Sequence, residues 1–413
     1  MSLTVHARGV TDIGRKRKRN EDSLLVVPEL GLFAVADGMG GAAAGEVASQ
    51  RAVEVVRVFV TERAQVLRDF AADPTPDRGA AAARLVEQAI QAACNEIYRM
   101  AGADVRLRGM GTTFVALAIA GDRGVVAHVG DSRLYLARRG HAHVLTEDHT
   151  LIASQIKAGE IRPEDAERSP FKGVLTRALG QHESVQVDTL VVDLLPGDAF
   201  LLCSDGLHGY FGEEELAQRF AEGVNDSLAA DLVTLANERG GRDNITAIVV
   251  SVTDSGAEEP ASMARIDALR RIPLFEHLTY REQNEVLAIA RTRTYPTGAT
   301  IVREGEPGGD LFVVLDGEVS IEQSGLPIAT VGAGGHFGEM GLVDAGPRSA
   351  SVRAATPMRA MVIQREEMLG VMQREPTLAV KLLWAFVQVL SHRLRVANSE
   401  LSGALAGPET TRL

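Results

Sequence analysis

Cysteine, aromatic side chains and long apolar runs are all scarce in this sequence of 413 residues. The two cysteines, Cys94 and Cys203, are too few for a disulfide framework and lack metal-ligand spacing. Aromatic residues make up only 4% of the chain, so its cores must be built mainly from alanine, valine and leucine. No stretch approaches the roughly 18 apolar residues of a membrane span, and no apolar signal-peptide core opens the chain. The sequence therefore predicts a cytoplasmic protein without a membrane segment.

An excess of positive charge is also missing. The formal net charge of −12 gives no support to a nucleic-acid-binding surface. One local run from Arg15 to Arg19 (RKRKR) is basic and needs its own explanation. The length exceeds what one ordinary core supports, so two or three domains are expected.

A polar stretch over residues 254–262 (DSGAEEPAS) separates two parts of different composition. Its glycine, proline and acidic residues are typical of a linker. We predict a first domain over residues 1–253, a linker over 254–262, a second domain over 263–401 and a tail over 402–413.

The first part contains short apolar segments flanked by helical patterns. The closely spaced segments over residues 111–145 predict an antiparallel meander. The polar, irregular stretch over residues 146–180 predicts a flap over a site. Helices are predicted over 42–67, 80–100, 151–159, 213–221 and 227–239, and further strands over 6–13, 23–27, 32–37, 189–193, 198–203 and 245–252.

Four aspartates lie at the ends of apolar segments. Asp37 ends the run LFAVAD, Asp131 follows VVAHVG, Asp205 follows FLLCS, and Asp243 lies just before the last apolar run. One such aspartate is typical of a plain turn. Hard oxygen ligands gathered at strand ends are how proteins hold magnesium or manganese, so four together favour a metal site.

Together with Asp22, these aspartates belong to five ordered motifs: R-x-x-N-x-D at 17–22, DGMGG at 37–41, GDSR at 130–133, SDGL at 204–207 and RDN at 242–244. In this order they resemble the bacterial metal-dependent Ser/Thr protein phosphatases of type 2C, over about residues 4–253. The resemblance implies an α+β fold, in which two antiparallel sheets form an α-β-β-α sandwich with helices outside and metals at one end. It also implies hydrolysis of phosphoserine and phosphothreonine in proteins.

The resemblance further implies a ligand set for two or three magnesium or manganese ions. Asp37 would bridge two ions, with the Gly38 carbonyl, Asp205 and Asp243 as further ligands, and Asp131 would help to hold a third ion. Two metals activate a shared water for in-line attack at phosphorus without a covalent phosphoenzyme.

Three further residues receive roles from the same resemblance. Asp22 and Glu21 would lie in or near the outer shell of the metals. Arg17 would clamp the substrate phosphate, because a guanidinium fork matches two phosphate oxygens. The other four residues of the basic run are expected to form a solvated loop.

Met39 departs from the eukaryotic pattern, in which a histidine at this position is thought to protonate the leaving group. Methionine cannot donate a proton. His128, His149 and His208 lie near the motifs, but the structural interpretation is favoured for each of them over a catalytic one.

The second part carries FGEMGL at 337–342 and PRSASV at 347–352. Together they resemble the phosphate-binding cassette of cyclic-nucleotide-binding domains, which implies a β-roll (jelly-roll) with flanking helices over about residues 266–401. Arg348 would pair with the cyclic phosphate and Glu339 with the ribose 2'-hydroxyl. Ser349 is similar to the serine of the cyclic-AMP-binding catabolite activator, whereas cyclic-GMP kinases tend to use threonine, so the resemblance implies cyclic AMP rather than cyclic GMP. The implied nucleotide site comprises Phe337, Gly338, Glu339, Met340, Arg348, Ser349 and Ala350.

The last predicted helix, from Pro376 to Leu401, carries two apolar stripes. One stripe repeats at steps of four and three, as in a coiled-coil seam. The two stripes are compatible with a homodimer, in which one stripe covers the β-roll and the other meets a partner helix. A single broad face packed within its own chain is an equal alternative. The seam consists of Leu383, Val387, Leu390, Leu394, Ala397 and Leu401, and the second stripe of Leu382, Phe386, Val389 and Val396.

Three functions compete on these observations. A transcription factor of the catabolite-activator type would need a DNA-reading module, and only a short tail follows Leu401. A catalytically weak or silent nucleotide sensor or scaffold would be favoured by a missing ligand aspartate, yet all four are present. We therefore predict a protein Ser/Thr phosphatase regulated by a cyclic nucleotide, with phosphoproteins and cyclic AMP as partners and no nucleic acid or membrane partner.

Overall fold

The computed structural model describes residues 3–40, 44–169, 171, 173–254, 265, 268–269, 271–343 and 346–405. The chain divides into two compact units, residues 1–262 and 263–413, and each is described by itself. The predicted linker, except Asp254, and the residues after Leu405 lie outside the described residues.

The first unit contains two antiparallel sheets. One has the strand order β1-β11-β10-β7-β8, and the other has the order β2-β3-β5-β6-β9, with β4 paired to β3. The strands are β1 (Leu3–Asp12), β2 (Asp22–Val27), β3 (Leu32–Met39), β4 (Gly111–Thr112), β5 (Phe114–Ala120), β6 (Arg123–Val129), β7 (Arg133–Arg138), β8 (His141–Val144), β9 (Asp188–Asp193), β10 (Ala199–Cys203) and β11 (Ile245–Asp254).

Successive side chains along each strand point to opposite faces of the sheet, and this builds a layered core. On β3, Leu32 and Ala34 join a core with the first three helices, whereas Phe33 and Val35 are fully buried outside that core, toward the other sheet. The later helices cover the sheet that contains β7, β10 and β11, through a core that includes Leu201 and Leu232. The helices are α1 (Ala44–Glu62), α2 (Gln65–Ala72), α3 (Pro76–Ala103), α4 (Leu151–Lys157), α5 (Asp205–His208), α6 (Glu213–Ala221) and α7 (Leu228–Glu238).

Two local predictions for this unit are wrong. The strands over 111–145 do not form one meander, because the chain leaves the sheet of β5 and β6 at Gly130 (φ +99°) and enters the other sheet with β7 and β8. The predicted helix over 42–67 is two helices with a break at residues 63–64. The next helix begins at Pro76, earlier than predicted, because proline fits the first helical turn and Thr75 accepts a hydrogen bond from Arg78 N.

The second unit is a β-roll of two four-stranded sheets, with orders β12-β19-β14-β17 and β13-β18-β15-β16. A capping box between Thr279 and Glu282 starts its first long helix. The sequence also has a short helical pattern over residues 266–272, which falls partly outside the described residues. The strands are β12 (Arg291–Tyr295), β13 (Thr300–Val302), β14 (Leu311–Asp316), β15 (Glu318–Gln323), β16 (Leu326–Gly332), β17 (His336–Phe337), β18 (Ser351–Ala354) and β19 (Met358–Ile363), and the helices are α8 (Tyr280–Ile289), α9 (Met340–Val343), α10 (Arg365–Arg374) and α11 (Pro376–Leu405).

No helix in the described part of the chain is both long and apolar enough to cross a membrane.

Helix α11 ends at Leu405, four residues beyond the predicted end at Leu401. The predicted tail therefore begins as helix. An α+β fold, with a sandwich followed by a β-roll, is confirmed.

Candidate metal centre and nucleotide pocket

Five strands bring carboxylates together at one end of the sandwich. Pairing of β2 with β3 sets Asp22 directly opposite Asp37. Asp131 follows β6, Asp205 follows β10 as the first residue of α5, and Asp243 precedes β11. The negative charges of the other four aspartates all act on Asp37, so the five carboxylates form one cluster.

Burial, together with nearby negative charge, disfavours the charged forms of four of these carboxylates. Desolvation, followed by the charges of Asp22 and its neighbours, raises the pKa of Asp37 well above its usual range. Burial raises the pKa of Asp131 to about 7, with Asp205 adding to the effect. Burial also raises the pKa of Asp22 to about 6, although two hydroxyl hydrogen bonds oppose the increase. The cluster therefore favours a compensating positive charge.

Two buried oxygens of this cluster point to the kind of charge that fits. Asp22 Oδ1 and Asp205 Oδ1 have no hydrogen-bond partner in the part of the chain that the structure describes. A buried carboxylate oxygen without a donor is costly unless a cation binds it. Because the side-chain groups of the cluster that could bind a metal are all carboxylates, whose oxygens are hard ligands, the residues fit magnesium or manganese.

The backbone around Gly38 leaves no room for a side chain. A Cβ at Gly38 would lie 2.2 Å from Gly45 O and 2.5 Å from Glu21 O. Gly38 N also donates to Glu21 O at 3.1 Å. Glycine is required here because three backbone segments meet beside Asp37.

Hydroxyl and amide side chains that we did not single out from the sequence hold this cluster in place. Asp22 Oδ2 accepts hydrogen bonds from Ser204 Oγ at 2.8 Å and Thr246 Oγ1 at 2.6 Å. Thr113 Oγ1 accepts a bond from Asp37 N at 3.0 Å. Ser204 and Thr246 lie in or next to aspartate motifs, which was the available signal, whereas Thr113 lies outside these motifs.

Arg17 lies at the edge of the cluster. Its Nη2 is 2.5 Å from Asp243 Oδ2, and half of its side chain is exposed. The hydrogen bond and charge of Asp243, with the charges of Asp37 and Glu21, raise the pKa of Arg17. The Arg17 guanidinium thus lies beside the carboxylates and is open to solvent, as the predicted role of a phosphate clamp requires.

The three histidines near the motifs lie in hydrogen-bond networks of the scaffold. His128 Nε2 contacts Glu147 O at 2.8 Å, and His149 Nδ1 accepts from Gly130 N at 3.1 Å. His208 Nε2 contacts Asp131 O at 2.9 Å. Burial lowers the pKa of His208 to about 4, so a neutral imidazole donates to Asp131 O at neutral pH.

Met39 lies on the wall of a groove of about 530 Å3 beside the cluster. The other lining residues come from the end of the predicted flap and the segment after it, and they include Thr176, Gln181 and His182. The position next to Gly38 therefore presents a thioether, which is not a proton donor.

The second unit contains a pocket of about 330 Å3 in the β-roll. Val302, Ile321 and Ile328 form an apolar part of its lining. All seven residues of the nucleotide site proposed from the sequence line the pocket: Phe337, Gly338, Glu339, Met340, Arg348, Ser349 and Ala350.

Backbone carbonyls hold Arg348 in this pocket. Its Nη1 donates to Gly338 O at 3.3 Å and its Nη2 to Asp310 O at 3.1 Å. Gly338 has φ +82°, and a Cβ there would lie 2.6 Å from Asp310 O, so only glycine fits this turn. Glu339 is buried at 6% exposure on the same wall. A guanidinium in a small, partly apolar pocket suits a ligand with one phosphate.

Comparison with known proteins defines the class first. The first unit resembles the crystal structure of the Mycobacterium tuberculosis serine/threonine phosphatase PstP/Ppp, with a TM-score of 0.53 and 33% identity over 62% of this chain and all of that one. A structure of the catalytic domain of PstP in complex with two manganese ions matches with a TM-score of 0.52 and 33% identity, over 61% of this chain and all of that one. The fold of the first unit is that of metal-dependent phosphatases.

Sequence comparison then gives the family. The model of protein phosphatase 2C matches residues 12–238. The serine/threonine phosphatase stp of Listeria innocua is 39% identical over 250 residues, which are 60% of this chain and 95% of that protein. The protein phosphatase PhpP of Streptococcus pneumoniae is 37% identical over 256 residues, covering 60% and 98%. The chain belongs to the protein phosphatase 2C family and is a metal-dependent Ser/Thr protein phosphatase.

A second family model, the cyclic nucleotide-binding domain, matches residues 292–375. This range includes every residue that lines the pocket of the β-roll. A phosphatase domain and a cyclic nucleotide-binding domain are therefore joined in one chain, as the sequence motifs predicted.

Proposed function

We propose that this phosphatase hydrolyses phosphoserine and phosphothreonine with two divalent ions held by Asp37, the Gly38 carbonyl, Asp205 and Asp243. Asp131 would help to hold a third ion. The observation that carries the proposal is the cluster of aspartates, in which burial and neighbouring charges raise the pKa values of Asp37 and Asp131. Asp22 and Asp205 each have a buried oxygen that has no donor among the described residues. Manganese or magnesium bound there would polarise a water for attack and neutralise charge on the phosphoryl group.

The residues around the cluster have separate tasks in this proposal. Asp22 is held by Ser204 and Thr246 and supplies negative charge behind the ligands. Arg17, anchored at Asp243 and half exposed, binds two phosphate oxygens of the substrate and orients the phosphoryl group for in-line displacement.

A phosphothreonine peptide tests this proposal. We expect phosphate release that needs manganese or magnesium and is abolished by a chelator, and calorimetry should show more than one ion bound per chain. A metal-saturated chain that binds nucleotide but releases no phosphate would instead favour the alternative function, a silent sensor or scaffold.

We propose cyclic AMP as the ligand of the β-roll pocket and as the regulator of the phosphatase domain. Arg348 in the pocket supports a cyclic phosphate, and Ser349 beside it supports cyclic AMP. Removal of one partner of a buried charge pair costs about 2 to 5 kcal/mol, so Arg348→Ala should weaken binding at least 30-fold by calorimetry, about 2 kcal/mol. Exposed Arg293 is the matched control. Tighter binding of cyclic GMP would overturn the choice of base alone.

We further propose that helix α11 forms a homodimer. Leu378, Leu382, Ala385 and Phe386 are buried against their own unit, whereas the seam residues Leu383 and Val387 are 51% and 57% exposed. Val380 and Val387 occupy a positions, and Leu383 and Leu390 occupy d positions, a combination that favours parallel two-stranded coiled coils.

Light scattering after size exclusion tests the dimer. Leu383→Gln with Val387→Gln should give a monomer, and Leu326→Gln, at another exposed leucine, should leave the dimer intact. A monomeric wild type at micromolar concentration would rule the dimer out. The cytoplasmic location remains a prediction from the sequence.

A further inference from the structure

The basic loop, residues 15–19, is the strongest feature that the proposed function leaves unused. Only Arg17 has a role there, yet four more basic side chains, Arg15, Lys16, Lys18 and Arg19, surround it. The chain as a whole carries a net charge of −12. Five adjacent positive charges in such a chain form a local field of opposite sign.

One side chain of the metal centre holds both ends of this loop. Asn244 Nδ2 donates to Ile13 O at 3.0 Å and to Arg19 O at 2.8 Å. Asn244 follows Asp243 directly in the chain. The loop is therefore fixed to the segment that carries a predicted metal ligand.

Close backbone packing fixes the start of the loop as well. Arg15 N donates to Gly241 O at 2.7 Å. Gly14 has φ +81°, and a Cβ there would lie 2.1 Å from Asp243 O. Only glycine fits this left-handed position, so the basic loop lies directly against the backbone of Asp243.

The four side chains around Arg17 are available to a ligand. All four residues are exposed. Within the described ranges, the ion pairs of this loop consist of Arg17 with Asp243, and no carboxylate pairs with the other four. Their charges thus surround the point at which the substrate phosphate would meet Arg17.

We propose that the basic loop selects phosphoproteins in which anionic side chains flank the phosphorylated residue. This inference rests on the proposed function, with the phosphate at Arg17. Successive residues of an extended peptide are about 3.3 to 3.6 Å apart, so neighbours of the phosphorylated residue lie within reach of the long side chains of Lys16 and Lys18. Carboxylates or a second phosphate supply the complementary charge.

Peptide kinetics test this selection. In this test, the wild type is assayed with three phosphothreonine peptides, which have glutamate, glutamine or a second phosphothreonine at the flanking positions. We expect kcat/KM to rise about two- to fivefold for each anionic flank relative to glutamine, and the advantage to shrink as salt increases. The glutamate and phosphothreonine arms separate the two sources of charge.

Variants assign the effect to the loop. Arg15→Gln/Arg19→Gln and Lys16→Gln/Lys18→Gln should each lower the ratio of kcat/KM for the glutamate peptide over the glutamine peptide, and the quadruple variant should bring it near one. Arg57→Gln/Arg84→Gln, at exposed positions on α1 and α3, is the matched control and should keep the wild-type ratio.

Two results would overturn the inference. One is an equal rate on glutamate and glutamine peptides by the wild type at low salt. The other is loop-dependent binding of single-stranded RNA without any preference among the peptides. Turnover of p-nitrophenyl phosphate, which has no flanking residues, tests the phosphatase centre separately and distinguishes failure of the proposed function from failure of this inference.

Discussion

A substitution at Asp205 can test metal binding without destabilising the fold. Burial and the charge of Asp243 raise the pKa of Asp205, and its Oδ1 is buried without a donor in the described part of the chain. The metal-free cluster therefore holds a group whose charge disfavours the folded state.

Asp205→Asn should lower metal affinity and reduce turnover at least 100-fold, because one ligand charge is lost. The metal-free variant should melt at or above the wild-type temperature, since repulsion in the cluster is relieved. Calorimetry with manganese, a phosphatase assay and thermal melting measure the three effects. Wild-type turnover at saturating metal would contradict the ligand assignment.

Arg17→Ala is the matched comparison at the same centre. It should raise KM for the phosphopeptide and leave metal affinity within a few-fold of wild type, because Arg17 touches Asp243 without being a ligand. A loss of metal affinity equal to that of Asp205→Asn would show that Arg17 mainly orders the ligands.

Protons and metal ions compete for the same carboxylates. The pKa of Asp131 is raised to about 7 and that of Asp22 to about 6, mainly by burial. Between their ordinary value near pH 4 and about pH 7, the folded metal-free chain binds more protons than the unfolded chain. Its stability should therefore fall as the pH rises through this window, and it is highest at the acidic end.

Metal binding should show the opposite dependence. Apparent affinity for manganese should rise between pH 5.5 and 7.5, with proton release, because ions displace protons from the cluster. Calorimetry in buffers of different ionisation enthalpy measures the released protons. Affinity that does not change with pH would place the ions on groups other than these aspartates.

At the level of single residues, the sequence shows which side chains are chemically suited to a metal, because aspartate motifs at strand ends are local. It does not show that Asn244 fastens Ile13 and Arg19, more than 220 positions away in the chain. Such contacts depend on β1 pairing with β11, which brings the ends of the first unit together.

Among the secondary-structure elements, the predicted flap over residues 146–180 is tied down at both ends by one carboxylate. Asp188, the first residue of β9, lies 3.2 Å from His149 Nε2 and 2.8 Å from Arg177 Nη1. Burial alone would raise the pKa of Asp188, but the hydrogen bond of His149 and the charges of His149, His128 and Arg177 outweigh it and lower the pKa. The pairing of Thr150 with Leu175 closes the base of the flap.

Asp188→Asn should loosen both flap ends and lower the free energy of unfolding by about 1 to 3 kcal/mol, the usual cost of losing hydrogen bonds to a charged group. Amide hydrogen exchange should speed up over residues 149–179, and chemical denaturation measures the stability. Asp165→Asn, at an exposed residue within the flap, should change stability by less than about 0.5 kcal/mol. Equal exchange in both variants would show that Asp188 does not hold the flap.

The same scale shows where sequence patterns fail. The strands over 111–145 follow one another closely, and nothing local marks the crossing between sheets at Gly130. Likewise, the two stripes of α11 are equally apolar in sequence. Contacts made by Leu382 and Phe386 with their own unit decide which stripe is buried. Hydrophobicity predicts that a face is covered, but not by what.

For the whole molecule, the central question is whether the two domains act on each other. The phosphatase domain and the nucleotide-binding domain share one chain through a short connection, predicted over residues 254–262. Covalent linkage keeps each domain at a high local concentration around the other. It does not by itself produce regulation, because a ligand shifts an equilibrium only if it binds two states differently.

Saturating cyclic AMP should change turnover or phosphopeptide affinity by roughly 5- to 150-fold, which corresponds to the usual coupling of about 1 to 3 kcal/mol. Arg348→Ala should remove this response at nucleotide concentrations that saturate the wild type, while leaving metal-dependent turnover without nucleotide unchanged.

The reciprocal measurement is decisive, because coupling between two binding sites is mutual. A non-hydrolysable phosphopeptide analogue should change the affinity for nucleotide by the same factor by which nucleotide changes the affinity for the analogue. If cyclic AMP binds and neither affinity nor turnover changes, the domains are tethered without regulation.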